Sequence, residues 1–348
     1  MSSFPPLSLL DLSPVSSGST VGDALRASID LAGHVERLGF NRYWVAEHHN
    51  MAGIASSSPA VLLAHLAMAT STIRLGSGGV MLPNHAPLAI AEQFGMLEAL
   101  HPGRIDLGLG RAPGTDPGTA RALRGGRLQE SDDFLERMGE LIAFFKGSFP
   151  VGHQYANIRA VPGAGHLPSI WMLGSSDFGA QVAGRMGLPF TFAHHFGMGG
   201  TELALELYRD SFEPSAVLDQ PYAMIGVSVV CAPTFEEARY LAGASALGFL
   251  RLRQGRPAPM PTPDEAEALA PGSTERAFLD DRLRNAVLGS PVDVRDQLQQ
   301  LVHRFDVNEL MLTTSTHNPG DRVRSFSLVA ESCIANAGLV SAVPLADR

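Results

Sequence analysis

The stretch RYWVAEHHNMAGIASSSPAVLLAHLAMATSTIRLGSGGVMLP, residues 42–83, holds the pattern from which the fold can be read. RYWVAEHH (42–49) and IRLGSGGVMLP (73–83) are apolar runs of strand length, and PAVLLAHLAMAT (59–70) between them is long enough for a helix. A strand, a helix and a second strand joined by short links describe two parallel strands with a helical crossover.

The same alternation extends in both directions. Upstream, LSLLDLSP (7–14) reads as a strand and DALRASIDLAGHVERLGF (23–40) as a helix that starts at Asp23 and stops at Gly39. Downstream come helix PLAIAEQFGMLEALHPG (87–103), strand RIDLGLGRA (104–112) and, after a Gly/Pro-rich stretch (111–126), helix SDDFLERMGELIAFFKG (131–147). Then follow strand SIWMLGSS (169–176) with helix 177–187, strand PFTFAHHF (189–196) with helix 201–212, and strand YAMIGVSVVCA (222–232) with helix 234–253. ELMLTTSTH (309–317) with helix 321–338 completes the series. Eight strands, each followed by a helix, predict an α/β protein of the (β/α)8 TIM-barrel class. A doubly wound sheet is the alternative, but the first strand is not followed by the GxGxxG turn that a dinucleotide fold would place there. Residues 1–348 are read as one barrel domain with an insertion around 148–168 and a mobile, Pro/Glu/Ala-rich excursion around 256–276.

Composition bounds the partners. With 45% hydrophobic and 18% charged residues the chain has a large core to bury. Lys and Arg number 26 against 35 Asp and Glu, a net charge of −9 with no basic run, which argues against nucleic acid and for small molecules. Cys231 and Cys333 are far apart and lack CxxC spacing, so two buried thiols are expected rather than a disulfide or a zinc site. MSSFPPLSLLDLSP lacks the basic start of a signal peptide, and no apolar run is long enough to span a bilayer, so a cytoplasmic protein is expected.

In a barrel the working residues lie at the C-terminal ends of the strands. Strand alternation puts Trp44, Ala46 and His48 on one face and Tyr43, Val45, Glu47 and His49 on the other. Small Ala46 suits a crowded interior, which makes His48 the inward member and the first candidate for proton exchange near neutral pH. The plain alternative is a structural histidine. Neither His48/His49 nor His194/His195 can readily chelate one ion, because neighbours on a strand point apart, and HxH and HExxH are absent, so no metal is expected.

Gly76, Gly78 and Gly79 interrupt the third strand, where a bulge, the close approach of a flat ligand or another backbone, or equally a barrel-corner kink would need them. Arg111 follows the fourth strand and suits a phosphate or carboxylate. Ser175 and Ser176 open a helix after the fifth, where free N–H groups favour an anion, although N-capping alone explains many such serines. A flat site beside a phosphate site calls for a cofactor with a planar ring and a phosphorylated tail.

YWVAEHHN (43–50), IRLGSGGVMLPNHAPLAIAEQFGMLEALHPGRIDLGLGRAPG (73–114) and the order of the elements resemble the bacterial luciferase-like flavin-dependent monooxygenases, above all the single-chain, actinomycete-type members, some of which act in natural-product tailoring. The resemblance implies a barrel that binds reduced FMN, supplied by a separate flavin reductase, at its C-terminal mouth. It implies His48 as the catalytic histidine, a non-proline cis peptide at Gly78 and Gly79 beneath the flavin ring, and Arg111, Ser175 and Ser176 on the FMN phosphate. The implied reaction is that of FMNH2 with O2 to a C4a-(hydro)peroxide, which oxygenates a small organic substrate. An F420-dependent dehydrogenase and a non-catalytic flavin-binding barrel are the alternatives. A homodimer is expected from the apolar helices 59–70 and 87–100, and His49, His194, His195 and His317 are left without assigned roles.

Overall fold

β1 (Leu7–Asp11) pairs in parallel with β2 (Arg42–Val45), and β2 with β3 (Arg74–Met81), so that Trp44 stands between Leu10 and Gly76. The remaining strands are β4 (Ile105–Gly110), β5 (Ser169–Gly174), β6 (Phe190–Phe192), β7 (Ala223–Cys231), β8 (Val287–Gly289) and β9 (Glu309–Thr313). In this computed structural model, which describes residues 4–126 and 133–334, β1 to β7 follow one another round a ring that β9 closes between β7 and β1. The result is an eight-stranded parallel TIM barrel surrounded by helices, the class that the alternation predicts.

β8 lies outside the ring, against the upper end of β7, with Val229 beside Val287. This three-residue strand and the helix Pro291–Phe305 behind it are absent from the eight-unit reading. A three-residue strand is too short to carry a period.

The barrel interior is filled in layers. At the N-terminal ends of the strands, buried Arg42 bonds Asp106 at 2.8 Å and Glu309 at 3.0 Å, and Arg74 also bonds Asp106. Trp44 Nε1 donates to Asp106 and Tyr222 to Glu309, so each buried charge faces an opposite charge or a donor. Burial alone would raise the Asp106 carboxyl, but Arg42 and Arg74 outweigh it and hold the group below the ordinary carboxylate range. Above this layer Leu10, Trp44, Trp171, Met224 and Met311 pack together, the two indoles edge to face at 5.1 Å. A Cβ on Gly76 would stand 2.6 Å from Trp44 Nε1, so the glycine makes room for the indole. Nearer the mouth the interior positions are small, with Ala46, Gly78, Gly110, Gly174 and Gly226, and the barrel opens into a cup.

Tyr43 and Val45 point the other way, into the core between sheet and helices, as strand alternation requires. There Tyr43 Oη donates to Asp11, which also pairs with buried Arg322. Cys231 and Cys333 are buried free thiols.

The stretch 148–168 packs outside the helix Pro87–Leu100, where Gly95 and Gly163 meet backbone to backbone. The stretch 256–276, read as a mobile excursion, contains the helix Pro263–Glu267 with a Thr262–Glu265 capping box and the start of the helix Thr274–Arg284. Its Met260 is buried and exchanges backbone hydrogen bonds with Val15 and Ser17, which ties this stretch to the loop after β1. The expected helix residues 131–132 and 335–338 lie outside the described residues.

Candidate active site

The cup is a cavity of about 610 Å³ at the C-terminal mouth of the barrel. His48, Gly78, Gly79, Arg111, Ser175 and Ser176, six residues singled out in the sequence, all line it. They come from the ends of β2, β3, β4 and β5, four neighbouring strands of the ring, so the barrel brings together what the chain spreads over more than a hundred residues.

The segment after β2 is held from both sides. The Ser56 hydroxyl donates to the Ala46 carbonyl, and the His48 N–H donates to the Ser56 carbonyl at 2.9 Å. Glu47 is fully buried on the opposite face, with His49 Nε2 at 2.9 Å, His85 Nε2 at 2.8 Å and the Met81 N–H at 3.0 Å from its carboxylate. Burial alone would raise Glu47, but these partners hold it below the usual range. The loop after β4 adds a third tie, with Thr115 Oγ1 donating to the His49 carbonyl at 2.8 Å and Asn50 Nδ2 to Asp116 at 3.0 Å. Glu47 and His49 therefore act as fasteners, and His48 is the member of EHH that reaches the cavity.

Nδ1 of His48 lies 3.2 Å from the Gly114 carbonyl. Burial pushes the imidazole below its ordinary value, so the ring is neutral at pH 7. Nδ1 then carries the proton, and the lone pair is on Nε2.

On β3 the register with β4 shifts between Gly78 and Val80, and the Gly78–Gly79 peptide is cis. A Cβ on Gly78 would stand 2.6 Å from Leu10 Cδ1, and one on Gly79 2.7 Å from the Gly108 carbonyl oxygen. Only glycine lets this backbone lie flat in the cavity wall. Across the mouth, Ser176 is the N-cap residue of the helix Asp177–Arg185 but makes no side-chain capping bond, which leaves its hydroxyl free beside the helix N-terminus. The Arg111 guanidinium stacks on Phe178 of that helix, 4.3 Å from the ring centroid. Two exposed hydroxyls, a guanidinium and a helix N-terminus form a donor set suited to a phosphate, next to a flat, glycine-lined wall.

Apart from His195, one of the strand-end histidines left without a role, the remaining wall was not legible in the sequence. Thr191 of β6, His195 behind it, Phe249 and Arg282 line it, and Pro257, Ala258 and Met260 cover it. His194 is turned away, with Nδ1 2.8 Å from Thr201 Oγ1, and His317 faces the Met260 carbonyl at 3.2 Å. Of the four histidines without assigned roles, only His195 lines the cavity. Among the described residues, no cluster of His, Cys, Asp and Glu could hold a metal ion.

Comparison with known proteins gives the same picture. The profile of a family described as "Luciferase-like monooxygenase" matches residues 7–308. A luciferase-like monooxygenase of Escherichia coli strain K12 is 43% identical over 93% of this chain and 96% of its own. The N-acetyl-S-alkylcysteine monooxygenase of Bacillus subtilis strain 168 is 34% identical over 94% of this chain and 98% of its own. The crystal structure of apo-MsnO8 superposes with a TM-score of 0.85 at 36% identity, over 94% of this chain and 98% of that one. The fold alone is shared with two more distant structures. One is the oxygenating constituent of 3,6-diketocamphane monooxygenase from Pseudomonas putida in complex with FMN, with TM-score 0.71, 19% identity and coverage of 97% and 99%. The other is an F420-dependent secondary alcohol dehydrogenase, with TM-score 0.68, 14% identity and coverage of 95% and 99%. The fold thus serves both FMN and F420. Taken with the barrel and its glycine-lined mouth, these matches make the chain a member of the luciferase-like monooxygenase family.

Proposed function

We propose that the protein is an FMNH2-dependent monooxygenase that uses O2 to oxygenate a small organic substrate. The observation that carries this reading is the convergence of a flat glycine wall, a phosphate-suited donor set and a neutral histidine on one largely apolar cavity. Reduced FMN, when bound, would supply the electrons that activate O2. Gly78 and Gly79 would support the ring, while Arg111, Ser175 and Ser176 would hold the phosphate. His48 would accept or deliver a proton at Nε2, within a lining whose apolar side chains exclude water. A separate reductase would supply the FMNH2, and two copies would pair through the helices Pro59–Ala69 and Pro87–Leu100, whose outer faces expose Val61, Met68, Met96 and Leu100.

Anaerobic fluorescence titration with FMN, FMNH2 and F420, followed by oxygen-uptake measurements, tests the cofactor. Saturable binding of FMNH2 and O2 uptake that depends on it are expected. Saturable F420 binding without FMNH2 binding would overturn the reading in favour of a hydride-transferring dehydrogenase.

A further inference from the structure

The chain carries a net charge of −9, yet among the described residues its cavity is lined by two arginines, Arg111 and Arg282, and by no Asp or Glu. Arg111 belongs to the donor set that suits a phosphate. Arg282 comes from the helix Thr274–Arg284, which the chain reaches only after β7 has left the ring. Its guanidinium stacks on Phe249 at 3.8 Å and, among the described residues, no carboxylate pairs with it. The neighbouring acids are taken up elsewhere: Asp280 bonds Arg239 and Arg276, and Asp281 bonds Arg284.

Two other polar groups of the same cavity lining are also poorly matched. Thr191 is 7% exposed and, among the described residues, its Oγ1 has no hydrogen-bond partner, while His195 meets the Gly226 backbone without a well-formed bond at Nδ1. The His195 ring is packed so closely over β7 that a Cβ on Gly226 would stand 2.5 Å from Nδ1. A Cβ on Gly197 would stand 3.8 Å from Asn285 Cβ, so the turn after His195 meets the end of the helix that carries Arg282. Burial pushes the His195 imidazole down to about 4, and the charge of Arg282 adds to the effect, which leaves His195 neutral at pH 7. A half-buried guanidinium with no carboxylate partner among the described residues, an unsatisfied Thr191 hydroxyl and a poorly bonded imidazole in one cavity lining each cost stability unless a ligand meets them. The rest of this wall is apolar, with Phe196, Phe249, Leu252 and Met260.

We infer that Arg282, with His195 and Thr191 of the same cavity lining, forms a subsite for the anionic end of the substrate, and that the substrate is an apolar molecule bearing a single carboxylate or sulfonate. This rests on the assignment of Arg111, Ser175 and Ser176 to the cofactor phosphate, which leaves the second guanidinium for the substrate. A planar guanidinium already stacked on an aromatic ring presents its donors to a carboxylate in two parallel hydrogen bonds.

Isothermal titration calorimetry with 4-phenylbutyrate and its uncharged amide, in the presence and absence of saturating FMN, tests the subsite. The acid is expected to bind roughly 10-fold to 100-fold more tightly than the amide, the range for hydrogen bonds to a charged group. Arg282→Met is expected to abolish that preference, and Arg282→Lys to keep part of it, with FMN affinity unchanged in both. Arg111→Met is expected to weaken FMN and to leave the acid-to-amide ratio intact. Equal binding of acid and amide, or no binding of the acid by the unaltered protein, would overturn the subsite. Loss of FMN affinity in Arg282→Met would make Arg282 a second phosphate ligand and overturn it too. Failure of the unaltered protein to bind FMN would instead strike the cofactor reading, while the titrations without FMN would still judge the subsite.

Discussion

The carbonyl oxygen of Gly114 lies 3.2 Å from Nδ1 of His48, so the loop after β4 sets the tautomer of a histidine in the segment that follows β2. A neutral imidazole whose Nδ1–H is engaged in this way has its lone pair at Nε2. Replacing His48 by Ala is expected to lower coupled substrate oxygenation by about 10²-fold to 10⁴-fold, the usual contribution of a positioned acid–base group. FMN affinity should stay within twofold, as measured by fluorescence titration. Unchanged oxygenation would remove His48 from the chemistry.

His195 makes stability depend on pH. The folded chain holds this imidazole down to about 4, chiefly through burial, whereas in the unfolded chain it takes up a proton near its ordinary value of 6.5. Between these values the unfolded state binds more protons, so folding stability is lost as pH falls from 6.5 towards 4. Urea denaturation of the unaltered protein and of His195→Asn should show a shallower loss in the variant across that window. Parallel curves would refute the assignment.

Arg42 holds two buried carboxylates, Asp106 and Glu309, at the closed end of the barrel. Arg42→Met keeps most of the side-chain volume but leaves Glu309 without a cation and Asp106 with Arg74 alone. Removing one member of such a buried set costs about 3–5 kcal/mol. Chemical denaturation checks the value, and a change below about 1 kcal/mol would mean that the carboxylates find other partners or protonate freely.

Met68 is 82% exposed and Leu100 68% exposed on the two helices proposed to pair two copies. A contact between apolar helix faces does not tolerate charge at its centre. Sedimentation velocity should therefore find a dimer that Met68→Glu together with Leu100→Glu converts to monomers of unchanged circular dichroism. A monomer before substitution would reject the pairing.

Much of the architecture was open to a linear reading. Strand length, alternation and helical spacing are properties of neighbouring residues, and they gave all eight ring strands, the inward side of β2 and the direction of His48, although β2 ends three residues before it. Residues at strand ends were legible for the same reason, since a barrel always presents those ends at its mouth. β8 was lost because three residues carry no period. Arg282 was lost for a different reason. In TERAFLDDRLR it is one charge among several on what reads as a solvated helix, and nothing local separates it from Arg284, which pairs with Asp281.

The sequence alone determined the barrel, the strand tips that build its mouth and the residue types suited to a ring and a phosphate, because each follows from patterns within one or two elements. The tertiary structure decided that Glu47 and His49 fasten the loop while His48 faces the cavity, and that His195 rather than His194 joins it. It also decided that Arg282 reaches the cavity without a counter-ion among the described residues. These outcomes depend on which distant segments are packed against each other, and that is fixed by closure of the ring and by the path of the chain across its mouth, which no local spacing records.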